Sequence, residues 1–165
     1  MRKMILMVGN IGSGKTTYIK EELLADYPEY MVVSRDALRY MLGAGDYIFN
    51  RTTEKAVKDA AQILAAGLMY EGHNVVVDDT FCSKARRAEY IQIARMYNYT
   101  VEVIVFPKLT RIQAVNRRMK KPHGDSNRSA WNEVFEMLAE SYEPPCKTEG
   151  IHKITKLTYR DIGVK

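Results

Sequence analysis

The stretch Gly9-Asn10-Ile11-Gly12-Ser13-Gly14-Lys15-Thr16 constrains this chain more than any other. It follows an apolar run, Met4 to Val8, that reads as a buried strand, and it leads into a segment, 15–26, that reads as a helix. Glycine, four residues, then glycine-lysine-threonine, set between strand and helix, is the spacing of a phosphate-binding loop, or P-loop. The glycines let the backbone turn so that successive N–H groups point into one anion-binding concavity. The helix N-terminus adds unpaired donors and a partial positive charge. Gly9, Gly12, Ser13, Gly14, Lys15, Thr16 and Thr17 are therefore the expected ATP-binding residues. Lys15 is expected to reach the β- and γ-phosphates, and the Thr16 hydroxyl to ligate a magnesium ion carried by the nucleotide.

A chain of 165 residues fits one domain, and no apolar run in it approaches the 18 or more residues of a membrane span. Arg2 and Lys3 precede an apolar stretch that ends at once in the P-loop, which does not read as a secretion signal. Cys82 and Cys146 lie far apart without metal-ligand spacing, so free thiols and a cytoplasmic location are expected. His73, His123 and His152 share no metal spacing either. The net charge of +5 is moderate, but its distribution is uneven: between Lys108 and Arg128 there are seven basic residues and one acid, Asp125. Pro122 and Gly124 interrupt the helical pattern there, so the segment, approximately 110–130, reads as a basic helical lid or as a solvated helix face.

Strand patterns recur at 30–34, 74–77, 99–106 and 151–157, with helical patterns at 52–71, 83–97 and from about 110 onward. On the 52–71 helix, Ala56, Ala60, Ile63, Leu64, Gly67 and Leu68 are expected to form the buried face. Alternation of strands with helices after a P-loop predicts an α/β P-loop NTPase fold: a parallel five-stranded sheet with helices on both faces. Ligands in such sheets bind beyond the carboxyl ends of the strands, which gathers the P-loop, Asp36 and Asp79 at one edge.

Phosphoryl transfer needs a phosphate cradle, a group to take the acceptor's proton, and positive charge for the transition state. Asp36, just past the second strand, is the candidate base, provided that Ser34 rather than Asp36 caps the helix starting there. Arg35 and Arg39 flank it, and arginines so placed can hold an acceptor phosphate bidentately; a simple i, i+3 ion pair from Asp36 to Arg39 is the plainer alternative. Asp78 and Asp79 end an apolar strand as a Walker B acid does, and one of them is expected to orient the metal's water shell or the arginines. Tyr40 and Tyr47 are the tyrosines nearest the proposed acceptor entrance.

The P-loop, then Ser-Arg-Asp-x-x-Arg (34–39), then Val-Val-Val-Asp-Asp-Thr (75–80) with arginines at 86 and 87, resembles the kinase domain of bacteriophage polynucleotide kinase. The resemblance implies an ATP-dependent kinase of nucleic acid 5′-hydroxyl ends, with Lys15 and Thr16 on the phosphates and magnesium. It also implies Asp36 as base, and Arg35, Arg39, Asp79 and Thr80 on the acceptor side. Arg117 and Lys121 fall where the family's lid arginines lie, the second a departure because lysine lacks the planar fork. The phage family member carries a phosphatase domain as well, for which this sequence has no counterpart, so 3′-end repair is expected to need another protein. A kinase of a small acceptor (nucleoside, sugar or antibiotic) and a nucleotide-controlled switch or ATPase are the rival readings. No membrane partner is expected, and self-assembly is left open.

Overall fold

The computed structural model describes residues 2–120 and 127–163. Five parallel strands form one sheet in the order β2-β3-β1-β4-β5: β1 Lys3–Val8, β2 Met31–Ser34, β3 Val75–Asp78, β4 Thr100–Val105 and β5 Lys153–Lys156. This is the P-loop NTPase fold. The central strand β1 is apolar from Met4 to Val8 because both of its faces are covered. Side chains alternate across it. Met4, Leu6 and Val8 join Val75, Val77, Ala61, Ala65 and Tyr90 on one face, while Ile5 and Met7 join Val76, Ile104, Ile19 and Leu23 on the other. Chain order steps out to β2, back to β3, then across β1 to β4, so the sheet's switch point lies at the carboxyl end of β1.

The P-loop helix begins as α1 (Lys15–Tyr18), widens to a π-helical stretch at Ile19–Leu23 and finishes as α2 (Leu24–Asp26). Next come α3 (Arg35–Leu42), α4 (Glu54–Tyr70), α5 (Lys84–Met96), α6 (Arg111–Met119) and α7 (Arg128–Glu140). Side-chain oxygens cap four of these helices: Ser34 on α3, Ser83 on α5, Thr110 on α6 and Asn127 on α7. Such caps are each worth about 1 kcal/mol. Among the described residues no helix is long and apolar enough to cross a membrane.

The face expected for the 52–71 helix is wrong. α4 buries Val57, Ala61, Ala65 and Met69, and Ile63 and Leu64 point outward. An i, i+4 row of mostly small side chains lets the helix lie close on the sheet, and closeness outweighed the larger aliphatic residues of the competing stripe. Arg87, on α5, is wholly buried. Its Nε and Nη2 donate to the two Glu149 carboxylate oxygens at 2.8 and 2.9 Å. Its Nη1 donates to the Phe81, Cys82 and Glu143 carbonyls at 3.0, 3.2 and 2.9 Å, which pins the segment before β5 to the end of β3.

Candidate active site

The P-loop bends where only glycine fits. Gly12 has φ +66°, and a Cβ there would lie 2.2 Å from the Ala114 carbonyl oxygen of α6; Gly14 has φ +96° and starts α1. Gly9 donates its N–H to the Thr80 carbonyl at 3.0 Å, tying the loop to the end of β3. Lys15 folds back over its own loop, its Nζ donating to the Gly9 and Asn10 carbonyls at 2.9 and 2.8 Å and to Ser13 Oγ at 3.3 Å. Burial holds the Lys15 ammonium below its usual range, and the charge of Asp78 opposes that shift. Thr16 Oγ1 donates to Asp78 Oδ2 at 2.7 Å. Burial pushes the Asp78 carboxyl up, against that hydrogen bond and the Lys15 charge.

Ser34 Oγ accepts from the Ala37 N–H at 3.3 Å and so takes the capping position of α3. Asp36 is thereby released to line the cleft beside the P-loop residues. Its Oδ1 accepts from Arg39 Nη1 at 2.6 Å and from the Tyr47 hydroxyl at 3.0 Å, and its Oδ2 accepts from Arg118 Nη2 at 3.3 Å. Burial pushes the Asp36 carboxyl up, but the Arg118 and Arg39 charges and the bonds from Tyr47 and Arg39 outweigh it and hold the group below the usual range. Tyr47 is pushed up to about 12 by burial and the Asp36 charge, so its hydroxyl stays protonated and donates.

Glu54, in the first turn of α4, organises the arginines. Its Oε1 accepts from Arg39 Nε at 2.8 Å, and its Oε2 accepts from both Arg39 Nη2 and Arg35 Nη2 at 2.7 Å. Arg35 Nη1 continues the chain to Asp79 Oδ2 at 3.0 Å, with Arg86 at 3.7 Å from the same oxygen. The two neighbouring aspartates thus divide the work left open between them: Asp78 meets Thr16 of the P-loop and Asp79 meets the arginines. One cleft of about 370 Å³ runs past all of these groups. Lys15, Thr16, Asp36, Arg39, Asp78 and Asp79 line its polar half; Ile11, Trp131, Val134 and Leu138 line an apolar wall.

A P-loop on β1 with an acid at the end of β3 is joined by a sequence match that spans most of the chain: the profile described as AAA domain fits residues 4–145. The chain belongs to the AAA domain family. Solved structures match the chain at the level of fold. A chain of the Pnkp1/Rnl/Hen1 RNA repair complex superposes with TM-score 0.67 at 20% identity, over 85% of this chain and 45% of that chain. A fungal RNA kinase gives 0.62 at 17% identity, over 96% and 38%. The Mycobacterium tuberculosis APS kinase CysC bound to AMPPNP and APS gives 0.63 at 18% identity, over 98% and 92%. This chain thus spans less than half of the two RNA-associated chains it matches.

Of the residues singled out in the sequence, Gly12, Gly14, Lys15, Thr16, Thr17, Arg35, Asp36, Arg39, Asp79, Thr80 and Arg117 all border the cleft of the AAA domain. Gly9 and Ser13, in the loop itself, are buried. Arg117 sits at the rim, its Nη2 3.5 Å from the Ile162 carbonyl, between the cleft and a second cavity of about 320 Å³. Lys121 lies outside the described residues. The α6 arginine that reaches Asp36 is Arg118, which was not singled out. Helix geometry carried the signal: at 100° per residue Arg118 falls about 10° from the centre of the face defined by Ala114 and Val115, and Arg117 about 110° away. Glu54 was missed as well, and nothing local marks it, because its role comes from the loop that brings α4 beside α3.

Proposed function

We propose that this protein is an ATP-dependent phosphotransferase that moves the γ-phosphoryl group of ATP to the 5′-hydroxyl of a nucleic acid end, DNA or RNA. The observation that carries the reading is the Asp36 carboxylate, held in the P-loop cleft by Arg39, Tyr47 and Arg118. The P-loop N–H groups and Lys15, once it swings off its own carbonyls, bind the donor phosphates. Asp36 accepts the proton of the attacking hydroxyl, and Arg118 and Arg117 supply positive charge to the transferring group. Arg39 is already clamped by Glu54, so its remaining N–H groups offer a fixed contact to an acceptor phosphate.

Among the described residues no three His, Cys, Asp or Glu side chains gather to hold a metal. Thr16 and Asp78, already paired, are the groups that would hold magnesium arriving on the nucleotide, which when bound neutralises phosphate charge. The names of two matched structures, an RNA repair complex and an RNA kinase, and the resemblance to phage polynucleotide kinase support the nucleic acid acceptor. One observation favours a small acceptor instead: a cleft of about 370 Å³ with an apolar wall is of the size that encloses small molecules.

Labelled ATP offered to 5′-hydroxyl oligonucleotides, nucleosides and sugars separates the two. Transfer to oligonucleotides whose KM rises steeply with salt supports a polynucleotide acceptor, since phosphate contacts release counterions. Transfer confined to a nucleoside or sugar, with a salt-independent KM, sinks it. Glu54→Gln carries a further expectation. Losing the charge that aligns Arg35 and Arg39 should raise acceptor KM roughly tenfold, about 1.4 kcal/mol, in steady-state kinetics, with ATP affinity unchanged.

A further inference from the structure

Around Asp36 the side chains form an alternating stack. The Arg39 guanidinium carbon lies 5.5 Å from the Phe49 ring centroid and 5.8 Å from that of Tyr47; Arg118 lies 5.8 Å from Tyr47 and 4.3 Å from Trp131. Ring, guanidinium, ring, guanidinium and ring thus run from the loop before α4 to α7, with Asp36 accepting from the middle three groups.

The two arginines in this stack are not held alike. Arg39 is fixed, with Nε and Nη2 on Glu54 and Nη1 on Asp36, at 2.6–2.8 Å. Arg118 has one long contact to Asp36, 3.3 Å against the roughly 2.7–2.9 Å of a charge-assisted bond. Its Nε is buried with no hydrogen-bond partner among the described residues. A guanidinium with one long hydrogen bond and an idle Nε is the one that a new anion can draw away, because it gains bidentate contacts there. When it leaves, it gives up its place over the ring of Trp131, a residue 8% exposed that also packs with Ile11, Val115 and Leu138. That ring borders Asp36 and the apolar wall of the cleft. A planar, aromatic group is what replaces a planar cation on an indole with little loss, since base stacking and cation–π contact are of the same order.

Resting on the polynucleotide kinase reading, we infer that Arg118 occupies, in the nucleotide-free protein, the slot of the acceptor's terminal nucleobase. ATP draws Arg118 onto its phosphates, and the base of the 5′-hydroxyl nucleoside then stacks on Trp131 beside Tyr47, with its hydroxyl at Asp36. Donor binding therefore precedes productive acceptor binding, and an acceptor without a base at its 5′ end is disfavoured.

Trp131 is the only tryptophan in the sequence, so its emission reads the slot directly. The protein with a non-hydrolysable ATP analogue and magnesium is titrated with a 5′-hydroxyl oligonucleotide, and with the same oligonucleotide lacking its 5′-terminal base. The intact end is expected to quench Trp131 and the abasic end to leave it unchanged, with an abasic KM for transfer about tenfold higher or more. Without nucleotide the intact end should quench at least about tenfold more weakly, a restriction that Arg118→Gln should remove. Equal KM and equal quenching for the two ends, with transfer to both, overturn the slot and leave the kinase reading standing. No transfer to either end by protein that binds ATP overturns both.

Discussion

Asp36→Asn is expected to lower turnover about 100- to 10,000-fold, the range that a positioned general base supplies, while ATP affinity barely moves. Asparagine keeps the shape of the side chain and one acceptor oxygen for Arg39 and Tyr47, but it cannot take the hydroxyl proton. The Ser34 cap of α3 is untouched, so the helix that carries position 36 stays in place. Arg39 keeps both of its bonds to Glu54 in the variant. The measurement is kcat with saturating acceptor beside a nucleotide-binding titration. Turnover that survives within a few-fold removes Asp36 from the base's role and takes the proposed in-line transfer with it.

The second large effect concerns stability. Arg87→Met should destabilise the protein by about 3–5 kcal/mol, the cost of stranding the other half of a buried ion pair. For a chain of this size that corresponds to a melting temperature lower by about 6–20 °C. Glu149 is left 3% exposed and unpaired, and the Phe81, Cys82 and Glu143 carbonyls lose their donor. Adding Glu149→Leu should restore part of the loss, since the stranded carboxylate is removed and the three carbonyls remain. A single variant that melts with the parent protein sinks this account.

The same pair sets a pH dependence. Burial raises the Glu149 carboxyl, but Arg87 and the Cys146 N–H outweigh it and hold the folded value below the ordinary 4.5. A depressed folded pKa adds stability above the unfolded value and loses it as pH falls through the folded one. Denaturation midpoints should therefore fall below about pH 4.5 in the parent, with a smaller fall in the double variant, where this contribution is gone.

Glycine at 9, 12 and 14, lysine and threonine after them, and valine-rich runs ending in Ser34 and Asp78 were enough to dictate strand, loop, helix and the parallel sheet. They act through backbone sterics and period-two burial, which are local. The capping of α3 was nearly legible too, since either Ser34 or Asp36 could serve and the serine hydroxyl is what the Ala37 N–H reaches. Which side of α4 would be buried was not, because the close approach of Ala61 and Ala65 to the sheet depends on a surface the helix does not itself contain.

The site divides in the same way. Lys15, Thr16 and Asp36 could be named from spacing, because the first two belong to the motif itself and Asp36 follows a strand whose carboxyl end lies on the same edge of the sheet. Glu54 beneath the arginines, the split of Asp78 from Asp79, and Arg118 on Trp131 were decided only by tertiary structure. Each joins elements distant in the chain, and whether two charges meet across such a gap depends on packed geometry at the scale of an ångström, which residue order alone does not encode.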